Sequence, residues 1–434
     1  MAAFLNNCRF VPTAGGTTDW VYASAVGGCQ SPGAAGAIDG RKYKFIAIST
    51  DLTQWEIAEG AYTSASGTFA RATVLYNSSG AGTAAGQSGA GSKISFTVAP
   101  NVAIVGVKED LISVEEANAF TAAQKAQARA NIDVLKKNYV INGGMMVSQE
   151  NGATAGTANG YYSVDQWVLD LSATGALTVA QVASRTPGGS NNRIRVTATT
   201  AQTTIGSSYC ILRQPLEGQR IADLLAGTAS AKQVTASFGI KSSVAGTFNV
   251  GIPCGDFTSS VGGTFTIAAG EVNTDVVKTV TFQLPTSGNY VSTNAAGAHL
   301  QFVLMQSIQT PNVLATVGNV FELFDVGLYE GAAAPAFQLP DCANTLLDCL
   351  RYYYKGLWSW RLSAVVSGIY AIDIPFKVPM RVVPTLSLSA TSRANLATNG
   401  FVNTDLNQTA FQITANAAGD TYVYGETLIA NARM

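Results

Sequence analysis

Between residues 138 and 340 apolar and polar side chains alternate with a period of two. Ile194, Val196 and Ala198 alternate with Arg193, Arg195, Thr197 and Thr199, and Val234, Ala236, Phe238 and Ile240 with Gln233, Thr235 and Ser237. Val280, Phe282 and Leu284 repeat the pattern, as do Leu300, Phe302 and Leu304. Strands with one apolar and one polar face predict two sheets stacked over a shared core. At Phe321, Leu323, Phe324, Val326 and Leu328 the phase slips by one residue, which predicts a β-bulge. The expected architecture is a jelly-roll β-sandwich of about eight strands.

The flanking segments read differently. Short strands are expected at Tyr43 to Ile48, Trp55 to Ala58, Phe69 to Tyr76, Ile94 to Val98 and Val102 to Val105, making residues 1–110 a small antiparallel β domain. Residues 111–137 carry the one sustained helical pattern, opened by two capping boxes, Ser113 with Glu116 and Thr121 with Gln124. Leu111, Val114, Phe120 and Ile132 supply apolar surface for packing around a three-fold axis or against the neighbouring domain. Residues 341–434 begin with a short helix capped by Asp341, with Leu346, Leu347 and Leu350 as its apolar residues. Strands then alternate at Ile372, Ile374, Phe376 and Val378, at Leu386 and Leu388, and at Phe411 and Ile413. The whole is mostly β: an N-terminal β domain, a helical connector, a jelly roll over 138–340 and a C-terminal β-sandwich tip over 341–434.

Composition narrows the function. Charged residues are 12% of the 434, against roughly 25% in an average soluble protein. With a net charge of −1 the chain lacks a field that would steer it to nucleic acid or anionic lipid. No apolar run approaches a membrane span, and Met1 to Phe10 does not read as a signal peptide, so synthesis in a cytoplasm is expected. The six cysteines show no metal spacing and the sole histidine is His299, so neither metal nor cofactor is expected. Buried free thiols are the default, with a Cys8 to Cys29 disulfide as the alternative. Catalysis would have to rest on carboxylates alone, from Asp165, Asp170, Asp256, Glu271 or Asp325, which are scattered at turns and caps. The expectation is no enzyme.

Aromatic residues carry the candidate binding chemistry. Trp167, within an apolar strand, reads as core. Tyr161 and Tyr162 lie in a Gly/Asn loop, where Tyr can stack and hydrogen-bond at little entropic cost. Tyr352, Tyr353 and Tyr354 are consecutive, so at least one faces away from its own core. Trp358 and Trp360 share one strand face. The glycan-binding candidates are Tyr161, Tyr162, Tyr353, Trp358 and Trp360. Core packing and a subunit interface remain the alternatives for the tip aromatics.

Four segments resemble phage tail proteins. Trp55 to Gly60, Phe69 to Leu75 and Ile94 to Phe96 are similar to a module near the N-termini of many phage tail and fibre proteins, which implies attachment to the particle. Thr121 to Ile132 resembles the T-x-x-Q-x-x-x-A-R-x-N-I segment that precedes a new module in tail fibres. Asn142-Gly143-Gly144-Met145, then Tyr162 to Trp167, then Phe321 to Gly331 with a trailing Pro335-Ala336-Phe337 resemble the carbohydrate-binding-module-like jelly roll of tail-fibre and receptor-binding proteins. The chain departs from that pattern at Gln166, where the family has Arg, and at Tyr329. Cys349 to Tyr354 and Ile374 to Thr385 resemble the fibre tip domain. The resemblance implies a homotrimer in a virion, fastened to other tail or baseplate proteins and facing host cell-surface polysaccharide. A purely structural fibre or decoration protein, and a polysaccharide depolymerase, are the competing readings.

Overall fold

The computed structural model describes residues 4–79, 92–107, 136–309, 311–389 and 392–434. Two compact units divide the chain, Met1–Val134 and Leu135–Met434. Both are built from antiparallel strands, with little helix among the described residues. The connector read over 111–137, with both capping boxes, lies outside the described residues except for Lys136 and Lys137. Those two are not helical. Lys136 Nζ donates to the carbonyls of Glu330 and Ala333, and Lys137 pairs with Asp223 at 3.1 Å.

The first unit holds strands β1 (Arg9–Pro12), β2 (Trp20–Ala25), β3 (Lys42–Ile48), β4 (Trp55–Thr63), β5 (Thr68–Phe69), β6 (Thr73–Asn77) and β7 (Asn101–Ile104). Their order is β3-β7-β1-β2-β5-β4-β6, and β3 also pairs with β4, so six of them close a ring that leaves little free edge. The single strand expected over Phe69 to Tyr76 is split at Ala70–Ala72, where Arg71 turns inward. Its guanidinium donates to Glu56 from Nε at 2.7 Å and from Nη2 at 2.5 Å, and to the carbonyls of Gly16, Thr18 and Ile94. Ile94 N–H donates to Glu56, and Arg71 lies 4.3 Å over the Trp20 ring. The three N-terminal motifs therefore converge on one buried ion pair. No strand forms over Ile94 to Val98; Phe96 makes only an isolated bridge to Gly16. Cys8 and Cys29 are both free thiols.

The second unit opens with a sandwich of eleven strands rather than eight: β8 (Tyr162–Val164), β9 (Trp167–Ser172), β10 (Ala176–Ala183), β11 (Asn192–Thr200), β12 (Tyr209–Glu217), β13 (Gln233–Ser242), β14 (Gly246–Pro253), β15 (Ser260–Ile267), β16 (Val276–Gln283), β17 (Ala296–Met305) and β18 (Val320–Glu330). The extra strands are short or glycine-rich, like β8 and β15, where alternation is weak. One sheet runs β10-β11-β18-β13-β16 and the other β15-β14-β17-β12-β9-β8, so the chain repeatedly crosses between sheets as a jelly roll does. Trp167, Phe238, Phe248, Phe302 and Phe321 fill the core between them.

The phase slip in β18 is a bulge. Ser237 faces Gly327 and Gly239 faces Phe324, so Asp325 and Val326 together oppose Phe238, with Asp325 at φ 48°. A side chain at Gly239 would strike the Phe324 ring, which fixes glycine there. The bulge meets the Asn142-Gly143-Gly144-Met145 turn: Val326 N–H donates to Gly143 O at 2.9 Å, and a Cβ on Gly143 would meet Val326 O. Asn142 holds that turn by donating to Val147 O and Asp165 O while accepting from the N–H groups of Met146 and Val147. The opening and closing motifs of the sandwich are thus stitched to each other.

The tip follows a helix α1 (Cys342–Leu350) whose N-cap Asp341 accepts from the N–H groups of Ala343 and Asn344. Thr345, Cys349 and Leu350 form the buried face, while Leu346 and Leu347 are exposed. Strands β19 (Tyr353–Ala364), β20 (Ile369–Pro375), β21 (Thr385–Ser389), β22 (Ser392–Ala394), β23 (Leu396–Val402), β24 (Gln408–Ala415) and β25 (Gly419–Asn431) form two sheets, β19-β25-β21 with β22 on β25, and β20-β24-β23. Their common core is Ile374, Phe411, Ile413, Val423 and Leu428, with Trp358 and Trp360 packed against it half-buried.

Candidate functional site

The five aromatic candidates have separate fates. Tyr161 is half-buried, its ring filling the space that a side chain at Gly156 would need, and its hydroxyl donates to Thr154 O at 2.7 Å. Tyr162 and Tyr353, one from each sandwich, bracket the Arg433 guanidinium at 3.9 and 3.8 Å. Arg433 Nη1 also donates to Glu150. Tyr353 is only 1% exposed, and burial pushes its hydroxyl pKa up to about 12. That burial removes Tyr353 as a platform for a ligand: the strand enters the tip through the joint between sandwiches, and the ring is used to close it. Beside it, Glu217 accepts from Arg351 and from the Tyr352 hydroxyl, and Gln149 Nε2 donates to Tyr353 O.

Gln166, where the family pattern has Arg, takes a positive φ of 73° in the turn before β9, and its Nε2 has no hydrogen-bond acceptor among the described residues. Its contribution is the turn conformation. Asp165 instead accepts from the backbone and side-chain amides of Gln149, and burial still raises its pKa.

Trp358 packs edge-on against Phe411 at 5.1 Å inside the tip. Trp360 shares its row and, unlike the other four, also lines an open depression of about 550 Å³. Ser359, Arg361, Ser392, Asp420, Tyr422 and Tyr424 line the rest. The register explains the grouping. Arg361 sits opposite Tyr422 and Ser363 opposite Asp420 on the β19–β25 pair, and Ser392 opposite Tyr424 on β22–β25. Alternation along β25 sends Thr421 and Val423 inward and leaves Asp420, Tyr422 and Tyr424 on the outer face, with Tyr424 65% exposed. A register shift between Trp358 and Trp360 places Ser359, whose Oγ accepts from Gly425 N–H. Arg361 grips Asp420 with two hydrogen bonds, Nε to Oδ1 at 2.8 Å and Nη2 to Oδ2 at 2.9 Å, which hold the carboxyl below its usual range. The sequence signal for this site was Tyr422-x-Tyr424, two rings on one face. The denser aromatic run over 352–360 masked it.

On the jelly roll, Phe257 at φ 61° stacks on His299 at 4.4 Å, and Arg213 joins Asp170 at 2.6 Å and His299 Nδ1 at 3.1 Å. Burial, then the nearby Arg213 charge, push the His299 pKa down to about 4, although Nε2 lies 3.2 Å from Gly255 O. The remaining carboxylates proposed for catalysis have separate partners: Asp256 bonds to Cys254, Thr258 and Asn289, Glu271 to Lys278, and Asp325 to Thr186 and Gly188. Among the described residues, no three His, Cys, Asp or Glu side chains gather where they could hold a metal ion. No described helix is long and apolar enough to cross a membrane.

No family model and no curated protein matches this chain. Among solved structures, the enzymatically active domain of tailspike protein 4 from bacteriophage CBA120 matches at 14% identity and a TM-score of 0.27, over 45% of this chain and 21% of that one. The family 11 carbohydrate-binding module of a Clostridium thermocellum cellulosomal cellulase matches at 14% identity and a TM-score of 0.25, over 42% of this chain and 98% of the module. The xylan-binding domain of Paenibacillus barcinonensis Xyn10C matches at 10% identity and a TM-score of 0.25, over 46% and 97%. Likenesses this weak carry no activity to this chain.

Proposed function

We propose that this chain is a non-enzymatic structural protein of a phage particle, a tail fibre or spike, that binds host surface glycan through its tip. The observation that carries the binding reading is the open depression with Tyr422 and Tyr424 on its outer sheet face, since aromatic rings beside polar groups suit the apolar faces and hydroxyls of a sugar. The segments quoted from residues 55–96, 142–167, 321–337 and 349–385 support a fibre, with the N-terminal domain fastened to the particle and three copies assembled about an axis. Symmetry then multiplies weak single-site contacts into useful avidity. The scattered partners of the carboxylates support a binder over a depolymerase.

The test is binding of the labelled full chain to host cells before and after removal of surface polysaccharide. Loss of binding on stripping is the expected result, and unchanged binding overturns it. Release of reducing ends from the purified polysaccharide would restore the depolymerase. A second reading, bracing of neighbouring particle proteins without glycan contact, is favoured by Leu357, which lies 81% exposed on β19.

A further inference from the structure

We infer that the tip depression takes a neutral glycan and rejects uronate-bearing or otherwise acidic ones. This rests on the glycan reading above and adds the chemical class of the ligand. The two charged side chains lining the depression, Arg361 and Asp420, are already bound to each other through a fork-on-fork pair, yet both remain open to solvent, 73% and 51% exposed. A guanidinium has five N–H donors, and the pair engages two of them, so three remain. Each Asp420 oxygen accepts from Arg361 and retains further acceptor capacity. The pair therefore offers donors and acceptors side by side while adding no net charge.

That is the requirement of a sugar diol, in which every hydroxyl both gives and accepts a hydrogen bond. Ser359 and Ser392 add hydroxyls on the same face, and Tyr422 and Tyr424 supply rings for the C–H faces. An acidic sugar meets a site with the wrong balance. Its carboxylate needs an uncompensated cation, but Arg361 is neutralised by Asp420, and Asp420 repels the newcomer. Mutual gripping also fixes both side chains before the ligand arrives, which reduces the ordering cost of binding.

The experiment is a binding panel with the full chain: neutral glucan, mannan and galactan against polygalacturonate and hyaluronate, each at low and high salt. Binding confined to neutral polysaccharides, insensitive to salt and weakened about tenfold by Tyr424→Ala, is the expected result. Asp420→Asn frees the Arg361 charge, so acidic polysaccharide should now bind in a salt-dependent way while neutral binding weakens. Salt-sensitive binding of the unaltered chain to acidic polysaccharides alone overturns the inference but leaves the glycan reading standing. Neutral binding untouched by Tyr424→Ala overturns the site. Failure to bind either class overturns the glycan reading itself.

Discussion

The barrel formed by the closed ring of strands in the first unit and the tip of the second each contain an arginine that grips a carboxylate through Nε and Nη2. In the barrel, Arg71 and Glu56 have side chains that are 0% exposed, ringed by three carbonyls, an N–H and the Trp20 ring. In the tip, Arg361 and Asp420 carry no such shell and stand in solvent. The lesson is that pairing geometry does not decide a role; the surroundings do. A buried pair whose five guanidinium N–H donors all find acceptors braces one fold, whereas an exposed pair contributes little to folding and keeps its hydrogen bonds available to a ligand.

The largest effect should follow breaking the buried pair. Arg71→Met leaves the Glu56 carboxylate uncompensated in the barrel, at a cost of about 3 to 5 kcal/mol. Amide exchange in strands over residues 42–63 should accelerate strongly, and exchange over residues 192–200 should not. The double variant Glu56→Leu with Arg71→Met should recover much of the loss, because no buried charge remains. Unchanged exchange in the single variant would contradict the role assigned to this pair.

Arg433 stands between the two extremes, its Nη1 donating to Glu150 and both guanidinium faces covered by tyrosines. Two desolvated cation–π contacts at roughly 2 kcal/mol each suggest a loss of about 2 to 4 kcal/mol on Arg433→Ala. The loss should fall on the joint between sandwiches. Exchange should quicken over residues 353–364 and 419–431 while the jelly-roll strands hold, and Arg433→Lys should rescue only part, since an ammonium cannot stack on two rings. Equal acceleration throughout both sandwiches would refute a local joint.

How much of this was written in the alternation depends on the region. Strands β11, β13, β16 and β17 were legible because one face of each is apolar without interruption, and the β18 bulge was legible because a two-residue period cannot slip silently. The short strands β1, β5 and β8 were not, since two to four residues give no period to read. Tyr353 was misread for another reason. Its sequence neighbourhood is rich in rings, but whether a ring meets solvent is set by Arg433, eighty residues away, folding back across the joint. Tyr422 and Tyr424 lay in plain alternation yet were overshadowed by a denser cluster.

The Arg213–Asp170 pair is intermediate in exposure and has the histidine as its reporter. Burial holds His299 neutral in the fold down to about pH 4, whereas its unfolded value is near 6.5. Between those values the unfolded chain binds a proton that the folded chain refuses, so stability falls as pH drops from about 6.5 to about 4 and this contribution levels off below. The span amounts to at most about 3 kcal/mol. Denaturation midpoints across that window should slope in the native chain and flatten in His299→Gln. A native profile without slope would show that the imidazole protonates in place.

The smallest effect on folding should come from the exposed pair, and here a null result is the informative one. Arg361→Ala removes both hydrogen bonds to Asp420, but each partner is already solvated, so water replaces what is lost. The melting temperature should not move measurably, and exchange along β19 and β25 should match the native chain. Sugar binding should nevertheless fall, because the donors beside Tyr422 are gone and Asp420 loses the partner that fixes its carboxylate. A stability loss as large as that of Arg71→Met would make the tip pair structural, and the contrast between barrel and tip would then be one of degree.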